Sequence, residues 1–282
     1  MTVTAHPLHD RTLGVAAAAM ERGFEGYVIP MRCTAEMLAR RMRSEHIDPT
    51  ASLIYELDGS PAGILLIARR GRTTRVAALG LAPELRRQGL GRRAMNAAVD
   101  LARGRGDERI LLEVIASNHP AVELYKELGF AVVRRLVGYQ RGPMTLDGET
   151  GLSEIDPASA AAMISMFAEP DLSWQLAPAS FAGAVAPLRG FAIADRVAAL
   201  VDDSAQDVRL MGIAVHPALR RRTIGTSFLA TLCSLYPDRG WSIPAIVPEG
   251  LAAGFLMHTG WELSPLSQFE MCIELNNNHG RV

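Results

Sequence analysis

The run Arg86-Arg87-Gln88-Gly89-Leu90-Gly91 sets two cations beside two glycines, a composition suited to holding an anion against main chain. It follows the apolar stretch Val76-Ala77-Ala78-Leu79-Gly80-Leu81-Ala82, which reads as a strand ending at Pro83. It precedes Arg92 to Ala102, whose apolar spacing predicts a helix. A basic glycine turn at a helix start offers outward-pointing N–H groups and the positive end of the helix dipole to a negative ligand. Glycine at 89 and 91 puts no Cβ between that ligand and the backbone. Two further side chains could move protons. Tyr125, on a helix predicted from Pro120 to a C-cap at Gly129, is a phenol that stays protonated at neutral pH. Glu113, in the predicted strand Leu111-Leu112-Glu113-Val114, alternates away from its apolar neighbours and could reach a cleft as a base.

The spacing R-x-x-G-x-G lacks the Gly-Lys-Ser/Thr of a P-loop and is not the G-x-G-x-x-G of a dinucleotide fold. After a strand ending in proline it resembles the acetyl-CoA pyrophosphate turn of the GCN5-related N-acetyltransferases (GNAT). Leu111 to Val114, the turn Ala116-Ser117-Asn118, Tyr125 seven residues beyond Asn118, and Gly129-Phe130 resemble the next motif of that family, so the likeness covers residues 76–130. The resemblance implies an α/β (α+β) fold, a mixed, mostly antiparallel sheet flanked by helices. It implies acetyl-CoA as cosubstrate, direct attack of a primary amine on the thioester, and no metal. It places Leu81, Ala82, Arg86, Arg87, Gln88, Gly89, Leu90, Gly91, Arg92 and Asn118 along the cofactor, with a main-chain N–H of Leu81 or Ala82 as oxyanion donor. Tyr125 would protonate the departing sulfur. The Leu-Glu-Val run resembles the family branch that acetylates ribosomal-protein N-terminal alanines, which makes Glu113 the candidate base, with water as the other proton acceptor. The loop after the first helix should border the acceptor, through Phe24, Glu25 and Tyr27.

A strand, its proline and the basic turn recur. Pro83 to Pro217 and Gly91 to Gly225 are each separated by 134 residues, and Gly260-Trp261 follows Gly129-Phe130 by 131. Two tandem domains of one fold are expected: a catalytic one over 1–141, a turn-rich linker over 142–150, and a degenerate copy over 151–282. In the second copy Thr223 replaces Gly89, Glu249 aligns with Asn118 and Leu256 with Tyr125, so that copy is expected to be a scaffold or substrate wall.

At 282 residues with 49% hydrophobic and 21% charged residues, both halves can bury a core. The net charge of −1 gives no overall attraction to nucleic acid or anionic membrane, and no uncharged run is long enough to span one. Three scattered cysteines, Cys33, Cys233 and Cys272, suggest no disulfide framework and fit a reducing cytoplasm. Seven histidines show no metal-ligating spacing. The expected partner is a small-molecule or peptide amine; the acceptor's identity and the oligomeric state stay open. A CoA-sensing or interaction module without turnover is the competing reading, and a nucleic-acid binder built on the arginine runs is a third, weakened by the absence of interleaved aromatics.

Overall fold

A computed structural model describes residues 1–143 and 151–275 of the chain. Most of the expected linker, residues 144–150, and the polar run at Asn276–His279 lie outside the described residues. The chain packs as two compact units, Met1–Val133 together with the segment opening at Phe269, and Arg134–Gln268.

The first unit runs β1 (Val3–Pro7), α1 (Leu13–Gly23), α2 (Ala35–Glu45), β2 (Leu53–Leu57), β3 (Ser60–Arg70), β4 (Thr73–Leu81), α3 (Leu90–Gly104), β5 (Arg109–Ile115) and α4 (His119–Glu127), and enters β6 (Ala131–Arg141). β1 to β4 form antiparallel neighbours, and α3 crosses over to make β5 parallel to β4. Thr12 starts α1 by accepting from the Val15 N–H at 3.3 Å, and Thr34 starts α2 by accepting from Met37 N–H at 3.2 Å. α1 buries Ala16, Ala17, Ala19 and Met20. At its end Gly23 lies so close to Gly80 that a Cβ would stand 2.7 Å from the Gly80 oxygen, which requires glycine there. α3 buries Ala94, Met95, Ala98, Val99 and Ala102 in a core with Leu65, Ile67 and Val76.

The second unit takes up β6 from Arg134 and continues with β7 (Ser153–Ile155), α5 (Pro157–Met166), α6 (Pro178–Phe181), β8 (Leu188–Ile193), β9 (Val197–Asp202), β10 (Val208–Val215), α7 (Ile224–Ser234), β11 (Trp241–Pro248), α8 (Ala253–His258) and β12 (Glu262–Glu274). β7 to β10 are antiparallel, α7 crosses over to a β11 parallel to β10, and β6 closes the unit antiparallel to β11. The order of strands and crossover is that of the first unit.

Two features recur in both. The β3–β4 register shifts between Leu66 and Ile67, leaving Ala77 bulged, and the β9–β10 register shifts between Leu210 and Gly212, leaving Met211 bulged. A bulge bends its strand and increases twist. Beyond it, β4 and β5 stop pairing after Val76↔Leu112, and β10 and β11 stop after Arg209↔Ser242. Each unit thus contains a sheet that splits into a V. The closing strands are arranged differently from the sequence-based division at 142–150: residues 134–141 pair within the second unit, and the segment from Phe269 completes the first, where Leu275 N–H donates to Glu108 O at 2.7 Å. No helix among the described residues is long and apolar enough to cross a membrane.

Candidate functional site

The glycine turn of the first unit stands at the head of α3. Arg87 has φ +59° and Gly89 φ +74°, so the chain reverses twice into the left-handed region before the helix begins. The first bond of α3 runs from Arg93 N–H to Gly89 O at 3.0 Å. The N–H groups of Leu90, Gly91 and Arg92 therefore have no acceptor within the helix, as at any helix start. A Cβ on Gly89 would meet only the Arg93 guanidinium, at 3.4 Å, so the space over the turn is open to a ligand.

The arginines of the turn do different things from those expected. Arg86 donates from Nε to Leu81 O at 2.7 Å and from Nη2 to Glu25 O at 2.5 Å and Gly23 O at 3.3 Å. It braces the end of β4 against the end of α1. Arg92 is ion-paired with Glu127 on α4. Gln88 donates its side-chain amide to Glu84 O at 2.5 Å. Arg87 is exposed and has no hydrogen-bond or charge partner among the described residues, which leaves it as the cation of this group available to an anion.

Of the two expected main-chain donors, Ala82 is already committed: its N–H donates to Ala62 O at 2.8 Å. In an antiparallel ladder successive residues face opposite edges. That alternation turns Leu81 N–H away from β3, into the V between β4 and β5. Of the two N–H groups, that of Leu81 is the one left outside the β3–β4 ladder.

Across the V, Asn118 caps α4 by accepting from Ala121 N–H at 3.4 Å. Burial pushes the Tyr27 phenol up, partly offset by a side-chain hydrogen bond to Asn118. Tyr125 on α4 is buried, lies edge-on to Phe130 with centroids 5.9 Å apart, and has no hydrogen-bond partner among the described residues. Burial, with a smaller contribution from Tyr27, pushes its phenol far above the usual range, so it stays a proton donor throughout neutral and moderately alkaline pH. Tyr27, Asn118 and Tyr125 are thus neighbours. Phe24 stacks edge-on against Tyr27 at 5.1 Å and covers Gly80, while Glu25 is exposed and ion-paired with Arg22.

Glu113 is placed differently from the free base expected of it. Arg75 Nε donates to Glu113 Oε2 at 2.7 Å and Oε1 at 3.0 Å, and its Nη1 reaches Glu45 Oε2 at 2.5 Å. The side chains of Arg75 and Glu113 are 2% and 4% exposed. Burial alone would lower the Arg75 pKa, but Glu113 and Glu45 outweigh it and hold the guanidinium charged. Arg75, Glu45 and Arg41, which also donates to the bulged Ala77 O at 2.7 Å, went unread in the sequence. A charge at 75 between Thr74 and the apolar run from Val76 was the available signal.

The second unit repeats the turn: Arg221 has φ +60° and Thr223 φ +61°. Arg220 Nε donates to Val215 O at 3.2 Å and Nη2 to Phe167 O at 2.5 Å, the brace that Arg86 makes. Glu249 is exposed and paired with Arg135, and Leu256 is buried. Among the described residues no group of three or more His, Cys, Asp or Glu is placed to hold a metal.

Residues 17–130 match the Acetyltransferase (GNAT) family. The first unit is a GNAT-family domain, and the chain has the tandem GNAT fold. A solved tandem GNAT protein from the clavulanic acid biosynthesis pathway superposes with a TM-score of 0.64 at 15% identity, covering 99% of this chain and 100% of that one. Mycothiol acetyltransferase of Clavibacter sepedonicus is 31% identical over 121 residues, 43% of this chain and 40% of the relative. N-alpha-acetyltransferase 30 of Schizosaccharomyces pombe is 36% identical over 72 residues, 25% of this chain and 48% of the relative. The chain thus spans less than half the length of each of these two curated relatives.

Proposed function

We propose that the first unit transfers an acetyl group from acetyl-CoA to a primary amine. The observation that carries this reading is the V between β4 and β5, with the open Gly89–Gly91 turn on one side and Tyr125 on the other. The phosphates would lie on the free N–H groups of Leu90, Gly91 and Arg92, with Arg87 adding charge. The thioester oxygen, which gains charge as the amine attacks, would receive the N–H of Leu81. Tyr125 would give its proton to the departing sulfur, and the buried phenol remains protonated until needed. The amine's proton leaves to water, because Glu113 is occupied by Arg75.

Phe24 and Tyr27 would border the acceptor. Relatives named for mycothiol and for N-alpha positions support two acceptor classes, a small-molecule amine and a polypeptide amine. Release of free thiol from acetyl-CoA, followed against a panel of both classes, tests the proposal. Amine-dependent release that Gly89→Val removes supports transfer. Binding of acetyl-CoA without release on any amine supports a sensing module instead.

A further inference from the structure

β4 and β5 part after Val76↔Leu112, so Ala77 and Glu113 are the first residues of the two strands beyond the split. Each is held by an arginine. Arg41 on α2 donates from Nη2 to Ala77 O at 2.7 Å, and Arg75 donates from Nε to the Glu113 carboxylate. Both arginines share one carboxylate at the end of α2. Arg41 Nε donates to Glu45 Oε1 at 2.9 Å, and Arg75 Nη1 donates to Glu45 Oε2 at 2.5 Å. The third nitrogen of Arg41 rests against Met20 Sδ of α1 at 4.0 Å, so the whole guanidinium fork is fixed.

The bulge explains why a charged donor is needed here. A bulged residue drops out of the ladder, and its carbonyl must find another partner. Beyond it, the alternation that sends Ala82 N–H to Ala62 O turns Leu79 and Leu81 toward the V, on the edge that Arg41 grips at Ala77. The second unit covers the same bulge with apolar groups. Phe181 stands over Gly212, beside the bulged Met211, with its Cζ 3.0 Å from where a Cβ would be. Arg209, the counterpart of Arg75, is exposed, and β11 has Pro244 in the register position of Glu113. The ionic clamp accompanies Gly89 and Tyr125 in the first unit.

We propose that Arg41 is a positioning residue for acetyl transfer. By tying the Ala77 carbonyl to Glu45, and through it to Arg75 and Glu113, it fixes the opening between β4 and β5. That opening sets where the Leu81 N–H stands relative to the thioester. Arg41 acts through β4, not on the reactants, and the Gly89–Gly91 turn that would take the phosphates lies outside the clamp. A misplacement of about 1 Å can lower a rate on the order of a hundredfold. The inference rests on the reading of the first unit as an acetyltransferase.

Arg41→Met keeps the apolar stem and removes the fork, whereas Arg41→Lys keeps a charge that reaches Ala77 O or Glu45 but cannot hold both. The test measures amine-dependent thiol release, calorimetry with CoA and amide hydrogen exchange on the full chain. In Arg41→Met kcat should fall by about ten- to a hundredfold with Kd for CoA within about threefold, and Arg41→Lys should lie between it and wild type. The Ala82 N–H, bonded to Ala62 O at 2.8 Å, should exchange at least about tenfold faster while the amides of α3 keep their rates. Wild-type kcat in Arg41→Met, or a loss of rate matched by an equal loss of CoA affinity, overturns the inference. Should no amine support thiol release by the wild type, the transferase reading fails and exchange alone decides. A faster Ala82 N–H then keeps the clamp on β4, and an unchanged one overturns it. Should Arg41→Met not fold, Arg41→Lys carries the test: a fall in kcat of at least about threefold at unchanged CoA affinity supports the inference, and wild-type kcat overturns it.

Discussion

Arg75 and Glu113 face each other across β4 and β5, joined through Nε to both carboxylate oxygens at 2.7 and 3.0 Å, and both are almost wholly withdrawn from water. Removing one partner of a buried pair leaves the other charge uncompensated, which costs roughly 3–5 kcal/mol. Because Glu45 still faces Arg75, Glu113→Ala should lower stability by somewhat less than that in urea unfolding. Turnover per folded molecule of the milder Glu113→Gln should stay within about threefold of wild type. A large fall in kcat for Glu113→Gln at unchanged stability would restore it as the base.

Glu45 extends that pair. Burial opposes its ionisation, but Arg41 and Arg75 prevail and hold its pKa down to about 2 from an ordinary 4.5. With the folded value below the unfolded one, its contribution is present above pH 4.5 and is lost as pH falls toward 2. Stability measured from pH 6 to pH 3 should therefore decline, and Glu45→Gln should flatten that slope while lowering the plateau. An unchanged slope in the variant would place the acid sensitivity elsewhere.

Tyr125→Phe keeps the ring against Phe130 and deletes the hydroxyl. For a general acid kcat should fall roughly 10²–10⁴-fold. Affinity for acetyl-CoA and melting temperature should change little. Because burial raises the phenol, the wild-type rate should show no alkaline limb from this group as pH rises through 10. Near-normal turnover by the variant would remove Tyr125 from the mechanism.

Thr223 and Gly89 occupy one turn conformation with opposite consequences. A β-branched residue at φ +61° is strained by on the order of 1–3 kcal/mol. Thr223→Gly should therefore stabilise the chain by about 1 kcal/mol, seen as a rise in melting temperature. Gly89→Val should destabilise and also weaken acetyl-CoA binding by at least tenfold. Equal effects of the two changes on binding would refute the assignment of the full-affinity site to the first unit.

Reading outward from residues 76–130 worked where local chemistry is decisive. A strand stopped by Pro83, a basic glycine turn at the head of a helix, and a turn through Asn118 into the next helix are each specified within a few residues. What escaped depends on partners far along the chain. Arg86 and Arg87 are adjacent and alike in sequence, and only the approach of Gly23 and Glu25 decides that one is consumed and the other free. Ala82 looked as available as Leu81 until β3 supplied Ala62. Glu113 met its partners from 38 residues away at Arg75, which in turn holds Glu45 from 30 away. The division near 142–150 followed from turn residues, but an antiparallel closing strand is specified by its pattern alone, and β6 and β12 both satisfy it.

That arrangement of closing strands orders events during synthesis. The outer edge of β5 has no finishing strand until Phe269 and its successors have been made, whereas the second unit is complete at Gln268. At 5–20 residues per second the delay is on the order of ten seconds. An unfinished edge is a template for pairing with other chains. The unit begun first is completed after its neighbour, so the half that holds Tyr125 keeps an unpaired edge on β5 until Phe269 is reached.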